Sequence, residues 1–67
     1  MKSFTPKEII NILLAQGFVL IRSKGSHQIF SHPEKGLKTV VPMHNKDLKK
    51  GTLHGILKQA DIDPDTL

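Results

Sequence analysis

The residues of this 67-residue chain that are best suited to chemistry are four consecutive ones, Lys24-Gly25-Ser26-His27. The imidazole of His27 can take up or release a proton near neutral pH, so it is a candidate general base or general acid. Gly25 lets a phosphate come close to the backbone, Ser26 supplies a hydroxyl and an amide, and Lys24 supplies positive charge. Cleavage of RNA without a metal needs such groups, because a base takes the proton of a ribose 2′-hydroxyl and nearby donors stabilise the charge on the attacked phosphate. The alternative is a surface histidine without a role, since short motifs also match by accident.

The spacing of the four histidines does not predict a metal site. His27 and His32 have opposite parity on one predicted strand, so they point to opposite faces of the sheet. His44 falls in a predicted loop and His54 on a predicted helix, and no pair has the HxxxH or HxH spacing. The chain also has no cysteine. We therefore expect no bound metal and no cofactor.

Positive charge is concentrated in the body of the chain. Three of the six acids lie in the last seven residues, so residues 1–60 carry ten Lys and Arg against three acids, a net charge of +7. A body this basic attracts polyanions, and nucleic acid is the commonest one in a cytoplasm. Basic small domains without such a partner are the alternative.

Lys46, Lys49 and Lys50 surround the predicted start of the second helix. The first amides of a helix point outward and favour anions, so these lysines indicate a phosphate site. The alternative is a solvated helix start with lysines that serve solubility.

These residues must be positioned by two helices and three strands. Thr5, Pro6 and Glu8 predict a capping box at the start of helix 1, and Gly17 predicts its end. Lys24-Gly25 and a Pro-Glu-Lys-Gly segment at 33–36 predict tight turns between strands, and 43–49 is predicted as a loop. The predicted elements are helix 6–16, strands 18–23, 26–32 and 37–41, and helix 50–60.

The expected fold is α+β, with the order α-β-β-β-α in one domain over residues 1–67. Short turns predict a three-stranded antiparallel sheet, and both helices are expected on one face because each has one apolar stripe. This is the element order of the double-stranded RNA-binding domain, and fold order alone does not imply RNA binding. No apolar run approaches the ~20 residues that span a bilayer, and the start shows no signal-peptide pattern, so no membrane and a cytoplasmic location are expected.

Several separated motifs resemble one known family, the HicA messenger-RNA interferase toxins. The resemblance covers about residues 5–63. The motifs that carry it are, in order, Gly17-Phe18, Lys24-Gly25-Ser26-His27, Ile29-Phe30, Val41-Pro42 with His44, Lys50-Gly51-Thr52-Leu53 and Ile56-Leu57-Lys58-Gln59-Ala60.

The resemblance implies a double-stranded-RNA-binding-domain-like fold and a toxin that arrests growth by cleaving messenger RNA without a metal. It implies a HicB-type antitoxin whose partial RNase-H-like domain covers the toxin's histidine. The family's catalytic histidine falls on His27, where the motif shows no departure. The roles of the neighbouring residues follow from charge and chemistry, which predict an RNA-binding set of Lys24, Gly25, Ser26, Lys46, Lys49 and Lys50.

Two other functions fit the same fold and charge: a non-catalytic RNA-binding module, and an interaction protein whose basic face docks an acidic partner. His27 within its motif favours the endoribonuclease, because a binding module does not need a histidine there. A single histidine does not easily act as base and acid in one step, so a second group must transfer the other proton. This group is water, Ser26 or another histidine, and His44 is the candidate by chain position. We expect the free toxin to be a monomer.

Overall fold

The computed structural model describes residues 3–44 and 46–67, and its element order is the predicted α-β-β-β-α. Positions 1, 2 and 45 lie outside the described residues, so the expectations about a signal peptide and about the loop at 43–49 are not addressed there. The elements are α1 (Pro6–Ala15), β1 (Val19–Lys24), β2 (His27–His32), β3 (Leu37–Pro42), α2 (Lys50–Gln59) and a 3₁₀ turn at Pro64–Thr66.

The predicted caps of α1 are present. Glu8 N–H donates to Thr5 Oγ1 at 3.2 Å, and Thr5 N–H donates to Glu8 Oε1 at 2.9 Å, which completes a capping box. At the other end Gly17 has φ +99°, and Phe18 N–H donates to the Leu13 carbonyl at 3.0 Å, a Schellman-type ending. Because that bond uses the amide of Phe18, β1 begins one residue later than predicted.

The three strands form one antiparallel sheet in the order β1-β2-β3, so β2 is the central strand. The pairing of β1 with β2 shifts between Leu20 and Arg22, where Ile21 forms an irregularity. All six residues of β1 are exposed, and the main helix–sheet contacts are made with β3 at the other edge of the sheet.

Both helices pack on one face of the sheet, as predicted. The cross-strand row of Leu20, Phe30 and Thr39 lies on that face, where Phe30 and Thr39 are fully buried. One hydrophobic cluster joins the sheet to the helices and includes Phe4, Ile9, Leu13, Phe18, Phe30, Val41, Leu48, Leu53, Ile56, Leu57, Ala60 and Ile62. The opposite face of the sheet is open, and the candidate histidine lies on it.

The helix α2 is held to β3 and is closed at its C-terminal end. Thr39 Oγ1 donates to Gln59 Oε1 at 2.9 Å, beneath the helix. Ile62 N–H donates to the Leu57 carbonyl at 2.9 Å, and Asp61 takes φ +56° to allow it. At the N-terminal end the side chain of the N-cap residue Lys49 accepts no hydrogen bond from the first amides of α2.

Candidate functional site

His27 is exposed at the first position of β2 and lies in a cross-strand row with Lys24 and Pro42. Residues directly opposite one another in an antiparallel sheet share a face, so all three side chains lie on the open face. The row therefore places a cation beside the imidazole on one side and an apolar ring on the other.

The next rows make the open face cationic and partly apolar. Arg22, Ile29 and Val40 form one row, and Val19, Ser31 and Lys38 form another. With Lys24, these rows hold three cations and no carboxylate. Val40 is 40 % exposed, although it lies on the outer strand next to α2.

The turn before His27 keeps the backbone accessible. Gly25 has φ +57°, a backbone conformation that residues other than glycine rarely adopt, and no atom lies within 4 Å of where a Cβ would be. Lys24, Gly25 and Ser26 are all exposed. The structure thus brings these three predicted residues together with His27.

A cavity of about 330 Å³ is lined by residues of the open face and of α2, with His27 in its wall. The sheet contributes His27, Val40 and Pro42, and the helix contributes Gly51, Thr52, Gly55, Ile56 and Gln59. A Cβ added at Gly51 or Gly55 would meet no atom within 4 Å. The two glycines weaken the helix by about 1 kcal/mol each, and no packing within the described part of the chain requires them.

A second cavity of about 440 Å³ lies at the start of α2 and is lined by His44, Lys46, Asp47, Lys49 and Thr52. The amides of Lys50, Gly51 and Thr52 lie in the first turn of α2, where a helix offers unpaired N–H donors. Two of the predicted phosphate-binding lysines therefore meet at one cavity. Lys50 is exposed in the first turn and lines neither this cavity nor that of His27. Asp47 is a carboxylate within the same lining.

Thr52 connects the two parts of the predicted site, because it lines both cavities. The sequence analysis did not predict a role for Thr52, nor the positions of Arg22 and Lys38 on the face of His27. The helical spacing of Gly51 and Gly55 was the available signal for a close approach at α2.

His32 lies on the opposite face from His27, as their parity predicts, and it is bound from two sides. Lys35 N–H donates to His32 Nδ1 at 3.2 Å, so the ring proton sits on Nε2, which donates to the Gln16 carbonyl at 3.1 Å. Its ring packs edge-on against Phe18, with centroids 5.3 Å apart. His32 is 7 % exposed and has a structural role, whereas the ring of His27 faces solvent.

Within residues 3–44 and 46–67, no three His, Asp or Glu side chains are grouped closely enough to hold a metal ion. Among the helices in the same part of the chain, none has the length and apolar character to span a membrane.

The α-β-β-β-α order, the three-stranded antiparallel sheet and the two packed helices define a double-stranded-RNA-binding-domain-like fold. Residues 6–62 match the family model described as the HicA toxin of bacterial toxin-antitoxin. Because the match covers nearly all of the sequence, the chain belongs to the HicA toxin family. A search of the curated proteins gave no match.

Proposed function

We propose that this chain is the toxin of a type II toxin–antitoxin pair and a metal-independent endoribonuclease that cleaves messenger RNA, with His27 as its proton-transfer catalyst. The observation that carries the proposal is the position of His27, which is exposed on the open face, beside Lys24 and in the wall of a cavity. His32 has its ring nitrogens engaged within the fold, so it does not compete for this role.

The proposed reaction uses the ribose 2′-hydroxyl as nucleophile. A ring nitrogen of His27 takes its proton, the 2′-oxygen attacks the adjacent phosphorus, and the 5′-oxygen leaves with a proton. The products are a 2′,3′-cyclic phosphate and a free 5′-hydroxyl. Lys24 and the first amides of α2 would stabilise the charge that develops on the phosphate oxygens.

The proposed RNA contacts run from the turn before His27 to the start of α2. Gly25 and Ser26 offer backbone and hydroxyl groups beside the scissile phosphate, and Lys24 offers charge there. Further phosphates of the strand would be bound by Lys46, Lys49 and Lys50 around the start of α2. We add Arg22 and Lys38 to this proposed set, because both lie on the open face.

We further propose that a HicB-type antitoxin inhibits the toxin by covering His27. The open face combines exposed Val40 with Arg22, Lys24 and Lys38, a mixture that suits a protein partner with acidic rims. An antitoxin bound there excludes RNA from the histidine. Because messenger RNA is the proposed substrate, the proposed site of action is the cytoplasm.

A growth assay tests activity, residue and partner together. Bacteria are induced to express the wild-type chain, His27→Ala or His54→Ala, each with and without the adjacent antitoxin gene. His54 is a matched control because it is exposed on α2 and lines neither cavity.

We expect arrest by wild type and His54→Ala, relief of both by the antitoxin, and normal growth with His27→Ala at equal protein level. Arrest by His27→Ala, together with RNA cleavage by that variant, would contradict the catalytic role. Binding of RNA by the wild type without cleavage would identify a binding module instead.

A further inference from the structure

We propose that His44 is the general acid that protonates the leaving 5′-oxygen, while His27 is the general base. This inference rests on the proposed ribonuclease function and supplies the second proton transfer that one histidine does not easily provide. It depends on the position of His44 relative to His27, on the two cavities and on the orientation of the His44 ring.

The pairing of β2 with β3 continues past His27. His27 lies opposite Pro42, and Met43 N–H donates to the Ser26 carbonyl at 2.6 Å, one residue further along. Met43 lies one residue beyond the end of β3 and packs against the core, so continued alternation would direct His44 to the side of the open face. His44 would then be the diagonal neighbour of His27, and the Cβ atoms of diagonal neighbours on one face lie about 7 Å apart.

The cavities support the same placement independently of the register. His27 lines one cavity, His44 lines the other, and Thr52 belongs to both. A phosphate placed over Thr52 would therefore have one histidine on each side. It would also meet the first turn of α2, where amide donors are available.

The separation fits the chemistry. The attacking and leaving oxygens lie on opposite sides of one phosphorus, and each needs a ring nitrogen at hydrogen-bond distance. Such bonds are roughly 2.6–3.2 Å long, so the two rings must approach the phosphate from its two sides. Two histidines whose Cβ atoms are about 7 Å apart on one face can do so, whereas His32 is on the opposite face and is buried.

The ring of His44 has Nε2 as its proton-bearing nitrogen. Lys46 N–H donates to His44 Nδ1 at 3.3 Å, so the neutral ring carries its proton on Nε2. The acid form of the ring carries a proton on both nitrogens, and it donates from Nε2 while the bond from Lys46 is open. The ring of His27 has no protein partner within the described part of the chain and is free to accept a proton.

The proton and bond changes balance in one step. His27 gains the proton of the 2′-hydroxyl as the O2′–P bond forms. The P–O5′ bond breaks, and its electron pair takes the Nε2 proton of the His44 imidazolium. His27 ends protonated and His44 ends neutral, and exchange with water restores both.

The test compares ordinary RNA with a substrate whose leaving 5′-oxygen is replaced by sulfur. A thiolate leaves without a proton, because thiols ionise far more readily than alcohols. Purified wild type, His27→Ala, His44→Ala and the control His54→Ala are assayed with both substrates in single-turnover reactions containing EDTA. Affinity for an RNA that carries a 2′-deoxyribose at the cleavage site is measured in parallel.

We expect His44→Ala to cleave ordinary RNA about 10²–10⁴-fold more slowly than wild type, with unchanged RNA affinity. On the 5′-thio substrate it should return to within a few-fold of wild type. His27→Ala should stay slow on both substrates, because the 2′-hydroxyl still needs a base.

Three results would overturn the proposal: wild-type rates for His44→Ala on ordinary RNA, equal loss on both substrates, or rescue of His27→Ala instead. An inactive wild type would reject the ribonuclease function itself, and the role of His44 with it. Cleavage by wild type with any of the three results would reject only the role of His44.

Discussion

His32→Ala should destabilise this protein strongly, whereas His27→Ala should leave its stability almost unchanged. Toxicity should fall in both variants, for different physical reasons. His32 accepts a hydrogen bond from the Lys35 amide, donates one to the Gln16 carbonyl and packs edge-on against Phe18. Removal of the imidazole therefore detaches the end of α1 from the turn between β2 and β3.

The magnitude follows from these contacts. Each hydrogen bond contributes about 1 kcal/mol net, and the edge-to-face aromatic pair contributes about 1 kcal/mol. Together the loss is about 3 kcal/mol. A chain of 67 residues has a total stability of roughly 3–10 kcal/mol at 0.05–0.15 kcal/mol per residue. An exposed residue such as His27 should change stability by less than about 0.5 kcal/mol.

Urea unfolding monitored by circular dichroism measures the difference, with His54→Ala as a further exposed control. At an m-value of about 1 kcal/mol/M, the midpoint of His32→Ala should fall by about 3 M. The midpoints of the two exposed variants should stay within about 0.5 M of wild type. A His32→Ala midpoint equal to that of His27→Ala would refute the structural role of the buried ring.

Other perturbations test separate parts of the account. Asp61 has a left-handed backbone conformation at the end of α2, which glycine adopts without strain, so Asp61→Gly should raise the free energy of unfolding by roughly 0.5–1 kcal/mol. An unchanged or lower free energy of unfolding would contradict the cost of that conformation. Gly55→Ala should stabilise the chain by up to about 1 kcal/mol, measured in the same assay, because the added methyl meets no atom within 4 Å. RNA binding by folded His27→Ala should weaken steeply with salt, by a log–log slope of about −0.7 per contacted phosphate. An RNA affinity that does not change with salt would show that Lys46 and Lys49 do not contact RNA phosphates.

The element order and the caps were predictable because they depend on local chemistry. Thr5 followed three residues later by Glu8, ahead of an apolar stripe, predicts the capping box that the structure has, and Gly17 suits the φ of +99° at the end of α1. Parity alone separated His27 from His32, because neighbouring side chains of a strand alternate between faces. The strand ends were wrong by one residue at Phe18 and Ser26, where an amide or a carbonyl is used outside the β1–β2 ladder.

The neighbours of His27 across the sheet were not predictable in the same way. The irregularity at Ile21 changes which β1 residues face β2, so the place of Arg22 on the open face depends on a register that the sequence does not specify. The meeting of His44 with Thr52 depends on how α2 docks on β3, a long-range contact. The chemistry of the Lys24-Gly25-Ser26-His27 motif could therefore be predicted from the sequence, whereas the residues that lie beside His27 could be identified only from the fold.

The decisive measurement of the catalytic role of His27 is the rate of RNA cleavage by purified wild type and His27→Ala, in EDTA and with matched circular dichroism spectra. We expect cleavage by wild type that yields 2′,3′-cyclic phosphate ends, a loss of about 10²–10⁴-fold in His27→Ala, and no cleavage at a site carrying a 2′-deoxyribose. Equal rates for the two proteins, or cleavage by wild type only when a metal is added, would contradict it.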